Sequence, residues 1–505
     1  MDAVIDRSGD GPGAGTSDGV HRRNLARILG LVHYRGPLSR AWLTALTGLN
    51  RSTVAALAAR LVDLGLAREQ APDQTSRAGR PSPVIAVDPD LVAVAVNPEV
   101  DAVTIAAVGL GGAIAARVRV DVADLVTPER TATLVAEVVR EWRGGELAHA
   151  RFVGAGLAVP GLVRASDGLV RFAPHLKWRD AQVRELVEAA TGLPTAAGND
   201  ATLGAIAEHR FGAGRGVDDL VYLNGGASGI GGGLVVHGRP VLGAGGFAGE
   251  FGQNRPGIDD AGDRRAVGGV LEDEVGRSRL LGALGLRSAD EPALAAAIAR
   301  AVASGDAEVV AELDRQRRIL ATAIANAVNV LNPSRVILGG FLATLAEQDS
   351  AAMRAAVAGQ AMPAAAEDLL LVVAALGEDR LLVGAAELAF APLLADPCRS
   401  RTERRARSER MPRPAVASAV RVLHGGAFGY TRTRVESIRD LRVEIVPDGA
   451  PPGAVSIRSA PDGVRPNRSL QRPHSSTPRE RLCPPPPSPS SGRTTTPHDA
   501  TPATC

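Results

Sequence analysis

Between His21 and Gly65 the apolar residues recur at helical spacing. Leu25, Ile28, Leu29 and Val32 fall on one face of a first helix, which the sequence Arg35-Gly36-Pro37 stops and turns. Ser39 is placed to cap a short second helix carrying Trp42, Leu43 and Leu46, and Gly48 breaks it. Asn50 caps a third helix whose buried stripe is Val54, Leu57, Leu61 and Leu64, closed by Gly65. The spacing predicts a helix-turn-helix. Leu66-Ala67-Arg68 and Val84-Ile85-Ala86-Val87, separated by a polar Gly/Pro/Arg loop, add a two-stranded wing, so residues 21–88 form one expected unit.

From residue 89 to 396 the pattern changes. Apolar runs rich in β-formers (91–96, 103–108, 152–159, 220–223, 232–236, 335–338 and 369–373) alternate with Ala/Leu-rich helical segments, which predicts an α/β architecture. No internal repeat at a fixed period is visible. Residues 1–20 have little apolar content and are expected to be a disordered leader. Residues 397–505, rich in Arg, Pro and Ser, are expected to lack a packed core, with allowance for a local element around Val420–Val446.

Composition sharpens this picture. At 505 residues and 45% hydrophobic content the chain is long enough for at least two buried cores. The net charge of +2 conceals a basic segment: residues 21–87 carry ten arginines against Asp63, Glu69 and Asp73, a net of about +7 that suits a polyanionic partner. Lys177 is the sole lysine, a bias read as genomic and not functional. The three cysteines, Cys398, Cys483 and Cys505, all lie late, which excludes disulfides and thiolate metal sites from the expected core. No apolar run of about 18 residues and no signal-like N-terminus occur, so no membrane partner and a cytoplasmic location are expected.

In a helix-turn-helix the second helix of the pair enters the major groove with its N-terminal residues facing the base edges. Here those residues are Asn50, Arg51, Ser52, Thr53 and Ala56. Arg51 can bond guanine bidentately, while Asn50 is either a cap or an adenine contact. Arg77 and Arg80, on the wing loop, suit phosphates or a narrow minor groove. The bland alternative is an interaction module with surface arginines.

The stretch Gly36-Pro37-Leu38-Ser39-Arg40, Leu43, Thr47-Gly48-Leu49-Asn50-Arg51-Ser52-Thr53-Val54, Leu64-Gly65-Leu66 and Gly79-Arg80-Pro81 resembles the winged-helix head of the ROK family of repressors and sugar kinases. Further motifs resemble its body in the expected order. They are Ala158-Val159-Pro160-Gly161, Ala173-Pro174-His175-Leu176-Lys177-Trp178, Gly198-Asn199-Asp200-Ala201 with Glu208, Ser228 to Gly233, Gly249-Glu250-Phe251-Gly252-Gln253, Leu271-Glu272, and Asn332 to Gly340. The resemblance implies a two-lobed actin-like, ribonuclease H-like body over 89–396, a homodimer or homotetramer, a double-stranded DNA operator and a sugar effector. Sugar recognition needs carboxylates and amides that bond paired hydroxyls, and Asn199, Asp200, Glu250, Gln253 and Glu272 supply them. Asp200 stands at the position of the general base in the family's kinases. Taken alone, an Asn-Asp pair is a turn and a glycine run is a hairpin; the order of the motifs carries the reading.

Two departures matter. Where family kinases hold ATP phosphates on an Asp-x-Gly-Gly-Thr turn, this chain has Asn97-Pro98-Glu99-Val100-Asp101. A proline without N–H, a bulky Val100 and an anionic Glu99 oppose phosphate binding, so no ATP-dependent catalysis is expected. Many family members hold zinc with one His and three Cys. The matching positions here are Gln253, Asp263, Arg265 and Val270, which form no soft tetrahedral set, so no metal or other cofactor is expected; packing or an Asp263–Arg265 neighbourhood is left to hold the segment. The favoured function is a sugar-responsive DNA-binding regulator of repressor type. The alternatives are an ATP-dependent sugar kinase with a DNA-binding head and a regulator with a dead pocket.

Overall fold

The computed structural model describes residues 17–71, 82–227 and 229–398, together with nine residues in three later strands. The first helix, α1 (Ser17–Arg35), begins four residues inside the expected leader, whose remaining residues lie outside those described. β1 (Leu38–Ser39) leads into α2 (Arg40–Thr47), capped by Ser39 Oγ accepting from the Trp42 N–H at 3.1 Å and ended by Gly48 at φ 70°. α3 (Arg51–Asp63), β2 (Ala67–Gln70) and β3 (Val84–Val87) complete the head, with the strands antiparallel in the order β1-β3-β2. Leu25, Ile28, Leu29, Val32, Leu43, Val54, Leu57 and Leu61 are buried together as the spacing required, whereas Trp42 is 60% exposed.

The body begins with the meander β4 (Leu91–Pro98), β5 (Ala102–Gly109) and β6 (Ile114–Asp121). There follow α4 (Pro128–Gly144), β7 (Arg151–Val159), β8 (Leu162–Val163), β9 (Val170–Ala173), β10 (Trp178–Ala181), α5 (Val183–Thr191) and β11 (Thr195–Asn199). β8, β9 and β10 form a small antiparallel sheet. After α6 (Asp200–Phe211) a second meander appears: β12 (Leu220–Gly226), β13 (Gly229–Val236) and β14 (Arg239–Pro240). Its lobe is finished by α7 (Leu271–Glu274), α8 (Arg277–Ala283), α9 (Glu291–Ser304), α10 (Ala307–Leu331), β15 (Arg335–Gly340), α11 (Phe341–Gln348), α12 (Ser350–Ala358), α13 (Pro363–Ala366) and β16 (Leu370–Val373), after which α14 (Arg380–Ala395) returns to the first sheet.

The two five-stranded sheets share one topology. Each runs as an antiparallel three-strand meander whose first strand carries two further strands in parallel: β6-β5-β4-β7-β11 in one lobe and β14-β13-β12-β15-β16 in the other. This is the duplicated, actin-like arrangement expected of the body, and it is a repeat of topology that leaves no repeat of sequence. α6 and α14 pack against each other, and α14 also lies on β4 and β7 of the first sheet. Close approach depends on glycine: a Cβ at Gly384 would stand 2.2 Å from the Leu203 carbonyl oxygen, and one at Gly156 would stand 1.8 Å from that of Ala385.

The head shares its core with the body through α14. Leu25, Ile28 and Val32 belong to the same apolar cluster as Leu382, Ala385 and Phe390. Inside this joint the buried His33 Nε2 meets Glu387 Oε1 at 2.6 Å, and Gly111 N–H donates to His33 Nδ1 at 2.8 Å. The Gly111 donor leaves Nδ1 as acceptor, so Nε2 carries the proton toward the Glu387 carboxylate. Arg210 lies over the Tyr34 ring, 4.8 Å from its centroid.

A separate unit, 411–505, is described at β17 (Arg432–Thr433), β18 (Leu441–Glu444) and β19 (Ile457–Ser459), which pair antiparallel in sequence order. The expectation of a structureless tail is amended at those nine residues, two of whose strands fall in the interval allowed for a local element. The remainder of 399–505 lies outside the described residues.

Candidate functional site

On the head, the first turn of α3 faces outward. Arg51, Ser52 and Ala56 are exposed and Thr53 half-buried, while Val54, Leu57 and Leu61 on the opposite side are buried. Asn50 is the helix cap: its Oδ1 accepts from the Thr53 N–H and from the Ser52 hydroxyl, both at 2.8 Å. Arg77 and Arg80 lie outside the described residues.

In the body, Asn199 and Asp200 sit where β11 passes into α6. Asn199 Oδ1 caps α6 by accepting from Thr202 N–H at 2.8 Å, and its Nδ2 donates to the Gly161 carbonyl at 3.1 Å and to Asp200 Oδ1 at 3.2 Å. Asp200 also accepts from Ala201 N–H at 2.8 Å. Loss of solvent pushes the Asp200 carboxyl up to about 7; the Ala201 N–H opposes this, and the nearby Glu99 and Glu250 charges add to it. Glu250 is likewise raised, by burial and then by Glu272. Glu272 accepts from Gln253 Nε2 at 2.6 Å and from Ile230 N–H at 3.2 Å. The glycines of β13 are steric necessities beside these groups: a Cβ at Gly231 would meet Ala201 at 2.6 Å, and one at Gly229, where φ is 137°, would meet Glu272 Oε2 at 2.4 Å. Asn199 with Asp200, and Gln253 with Glu272, are therefore two hydrogen-bonded pairs, and electrostatic coupling through Glu250 links them.

One consequence can be measured. A carboxyl whose folded-state pKa is raised binds more protons in the native state than in the unfolded chain, so its contribution to stability falls as pH rises between the usual Asp value and about 7. Asp200→Asn keeps an acceptor for Ala201 N–H and removes the half-buried charge. The variant is expected to melt above the wild type at pH 8, with that advantage gone at pH 4, in paired thermal melts.

Sequence reasoning missed Arg380, at the start of α14. It is almost wholly buried, donating from Nε to Asn224 Oδ1 at 2.9 Å and from Nη2 to Glu291 Oε1 at 2.7 Å, and it bonds the Gly377 carbonyl. Tyr222 OH donates to the same Asn224 oxygen at 3.0 Å. A cavity of about 230 Å³ opens beside this cluster, lined by Glu291, Gly340, Thr344, Gly377 and Glu378 among others. Within electrostatic reach of Arg380 and Glu291, the turn between β4 and β5 is closed by Glu99 N–H donating to the Ala102 carbonyl at 2.8 Å, and it is acidic: Arg119 is shared among Asp101, Asp121 and Glu99. Burial and Asp101 raise the Glu99 carboxyl. Asn97 Oδ1 is buried there without a hydrogen-bond partner among the described residues. The only clue to Arg380 in the sequence was a cation opening a very apolar helix.

The residues at the family's zinc positions do not fit a zinc ion. Gln253 is committed to Glu272, and Val270 has no side-chain donor. Asp263 is held bidentately by Arg318, at 2.7 and 3.0 Å. The Arg265 charge lies close enough to add to this, but its guanidinium bonds the Gly262 and Arg264 carbonyls and the direct hold on Asp263 is that of Arg318. Among the described residues no group of three His, Cys, Asp or Glu could hold a metal, and no helix is long and apolar enough to cross a membrane.

Two lobes of one topology, with amides and carboxylates gathered where β11 meets α6, define a sugar-kinase-like body. The sequence pattern of the ROK family matches residues 94–391, more than half of the chain, and the chain belongs to the ROK family. Its relatives include the xylose repressor of Caldicellulosiruptor bescii, 25% identical over 377 residues, covering 71% of this chain and 93% of the relative. Another is the glucokinase of Thermotoga maritima, 31% identical over 269 residues, covering 50% of this chain and 83% of the relative. The repressor alignment is longer than the family interval, whereas the glucokinase alignment is shorter. Among solved structures, a ROK family transcriptional regulator, a homologue of the E. coli MLC protein, matches in fold with a TM-score of 0.60 and 24% identity, over 74% of this chain and 97% of its own.

Proposed function

We propose that the chain is a DNA-binding transcriptional regulator of repressor type whose body binds a sugar or sugar derivative and performs no phosphoryl transfer. The head is a winged helix-turn-helix in this reading. Arg51, with Ser52, Thr53 and Ala56, reads base edges, Asn50 shapes the helix end, and Arg77 and Arg80 meet phosphates. Asn199, Asp200, Glu250, Gln253 and Glu272 bind the sugar hydroxyls. The protein works in the cytoplasm as a homodimer or homotetramer on double-stranded DNA.

The observation that carries this proposal is the placement of α14. Its first residue, Arg380, lines the cavity and bonds Asn224 of the second sheet, and Glu387, seven positions on and about 10 Å along a helix, grips His33 of the head. A sugar that favours one relation of the lobes thereby biases the setting of the head, provided its affinity differs between the two states. The likeness to xylose repressors over more than the body supports the regulator reading.

A kinase reading draws on Asp200, whose raised carboxyl suits a general base, and on the glucokinase relatives. The acidic Glu99–Asp101 turn weighs against it, because phosphoryl transfer depends on neutralising charge, and Arg380 is already paired with Glu291. Chromatin-type mapping of sites bound by the full chain, followed by gel shifts with sugars suggested by the neighbouring genes, tests the proposal. Specific binding relieved or strengthened by one sugar is expected; absence of specific binding at moderate salt would sink it.

A further inference from the structure

α10 carries a guanidinium that has been entirely withdrawn from solvent. Arg315 is 1% exposed, and all five of its N–H groups are used. Nε and Nη2 hold Glu312 bidentately at 2.8 and 2.7 Å; Nη1 donates to the Asp263 carbonyl at 2.8 Å and to Glu274 Oε2 at 3.1 Å; Nη2 donates to the Glu274 carbonyl at 2.6 Å. Glu274, 1% exposed, passes the constraint on by accepting from the Arg265 and Ala266 N–H groups at 2.8 to 3.1 Å. Burial alone would raise the Glu312 carboxyl, yet its bonds to Arg315 and Gln316 hold it below the usual range. One turn further along α10, Arg318 clamps Asp263 from outside.

Glu274 closes α7, the single-turn helix on which Glu272 stands, and Glu272 in turn fixes Gln253. We infer that Arg315 is the positioning residue of the proposed sugar site: its guanidinium fastens residues 263–274 to α10, setting Glu272 and Gln253 without any metal ion. The inference rests on the sugar-site reading for its functional consequence, but the cross-link itself stands on geometry. A planar five-donor cation can gather two carboxylates and two carbonyls from three chain segments at once, the role a tetrahedral metal plays elsewhere. A lysine, with three donors on one atom, cannot reproduce the fork.

Hydrogen exchange on the full chain tests the cross-link without any ligand. In the wild type, protection across 262–276 is expected to be unchanged by EDTA and 1,10-phenanthroline. In Arg315→Ala the same segment is expected to exchange at least tenfold faster while the β4–β7 strands keep their protection, and millimolar guanidinium, but not equal sodium chloride, is expected to restore part of it. Arg315→Lys, the variant more certain to fold, should fall between the two and weaken sugar binding about tenfold by calorimetry. Loss of protection in the wild type on chelation, or wild-type exchange at 262–276 in both variants, would overturn the inference. If no sugar binds the wild type while the exchange results appear as expected, the sugar reading fails and the metal-free cross-link stands.

Discussion

Arg51→Ala in the 505-residue chain is expected to lower affinity for the operator by about 1–3 kcal/mol per head, the usual worth of one bidentate guanine contact. The side chain begins α3 on its exposed side, and nothing in the head's core depends on it, so the melting temperature should stay within a degree of the wild type. Fluorescence anisotropy at fixed salt measures the loss, and Arg300→Ala, an exposed arginine on α9, controls for general charge. Discrimination between operator and scrambled DNA should narrow, because a base contact carries sequence information that a phosphate contact does not. Equal weakening on both DNAs would assign Arg51 to the backbone. Asn50 divides differently: Asn50→Ser keeps the cap and should keep affinity, whereas Asn50→Ala forfeits roughly 1 kcal/mol of helix capping.

Glu208→Ala is expected to be the most damaging single change to stability in the body. Glu208 is fully buried on α6, and its carboxylate accepts from the N–H groups of Ala213 at 2.7 Å, Leu376 at 2.9 Å and Ala375 at 3.1 Å. It ties the end of α6 to the segment that leads into α14. Alanine leaves three partly buried donors without their acceptor, each worth about 1 kcal/mol or more, for a total of about 2–4 kcal/mol once water reaches some of them. Differential scanning calorimetry should register a fall of roughly 10 °C for a body of this size. Glu208→Gln, which retains one acceptor oxygen, should lie between the two. A fall of a degree or less in the alanine variant would mean that water replaces the carboxylate.

Seven of the ten strands in the two five-stranded sheets and all three head helices were legible because burial imposes a period that the sequence must obey: Val54, Leu57 and Leu61 could face only one way. The two-lobed repeat was legible through family resemblance and not through periodicity, since two sheets can share connections while their side chains answer to different neighbours. β6 was missed because alternate burial lets Arg117 and Arg119 interrupt its apolar run, and β11 was missed because Thr195–Asn199 is short and contains alanine and glycine. The candidate sugar residues were found through their motifs. Arg315, Glu274 and Arg380 carry no motif: a buried ion pair is defined by partners 41 or 89 residues apart, as in Arg315–Glu274 and Arg380–Glu291, which no local pattern records. The sequence placed Arg265 near Asp263, but it could not show that Arg318, from a helix 55 residues on, makes the direct bond to that carboxylate.

The central claim, that the body senses a sugar and relays it to DNA without nucleotide, comes down to one titration. Labelled operator is titrated with the 505-residue chain in the presence of the effector sugar, magnesium-ATP, or both, with ADP formation followed in the same samples. The account predicts that the sugar alone moves the binding midpoint, that ATP adds nothing, and that no ADP appears. Sugar-dependent ADP formation that disappears in Asp200→Asn, with the DNA midpoint unmoved, would contradict it.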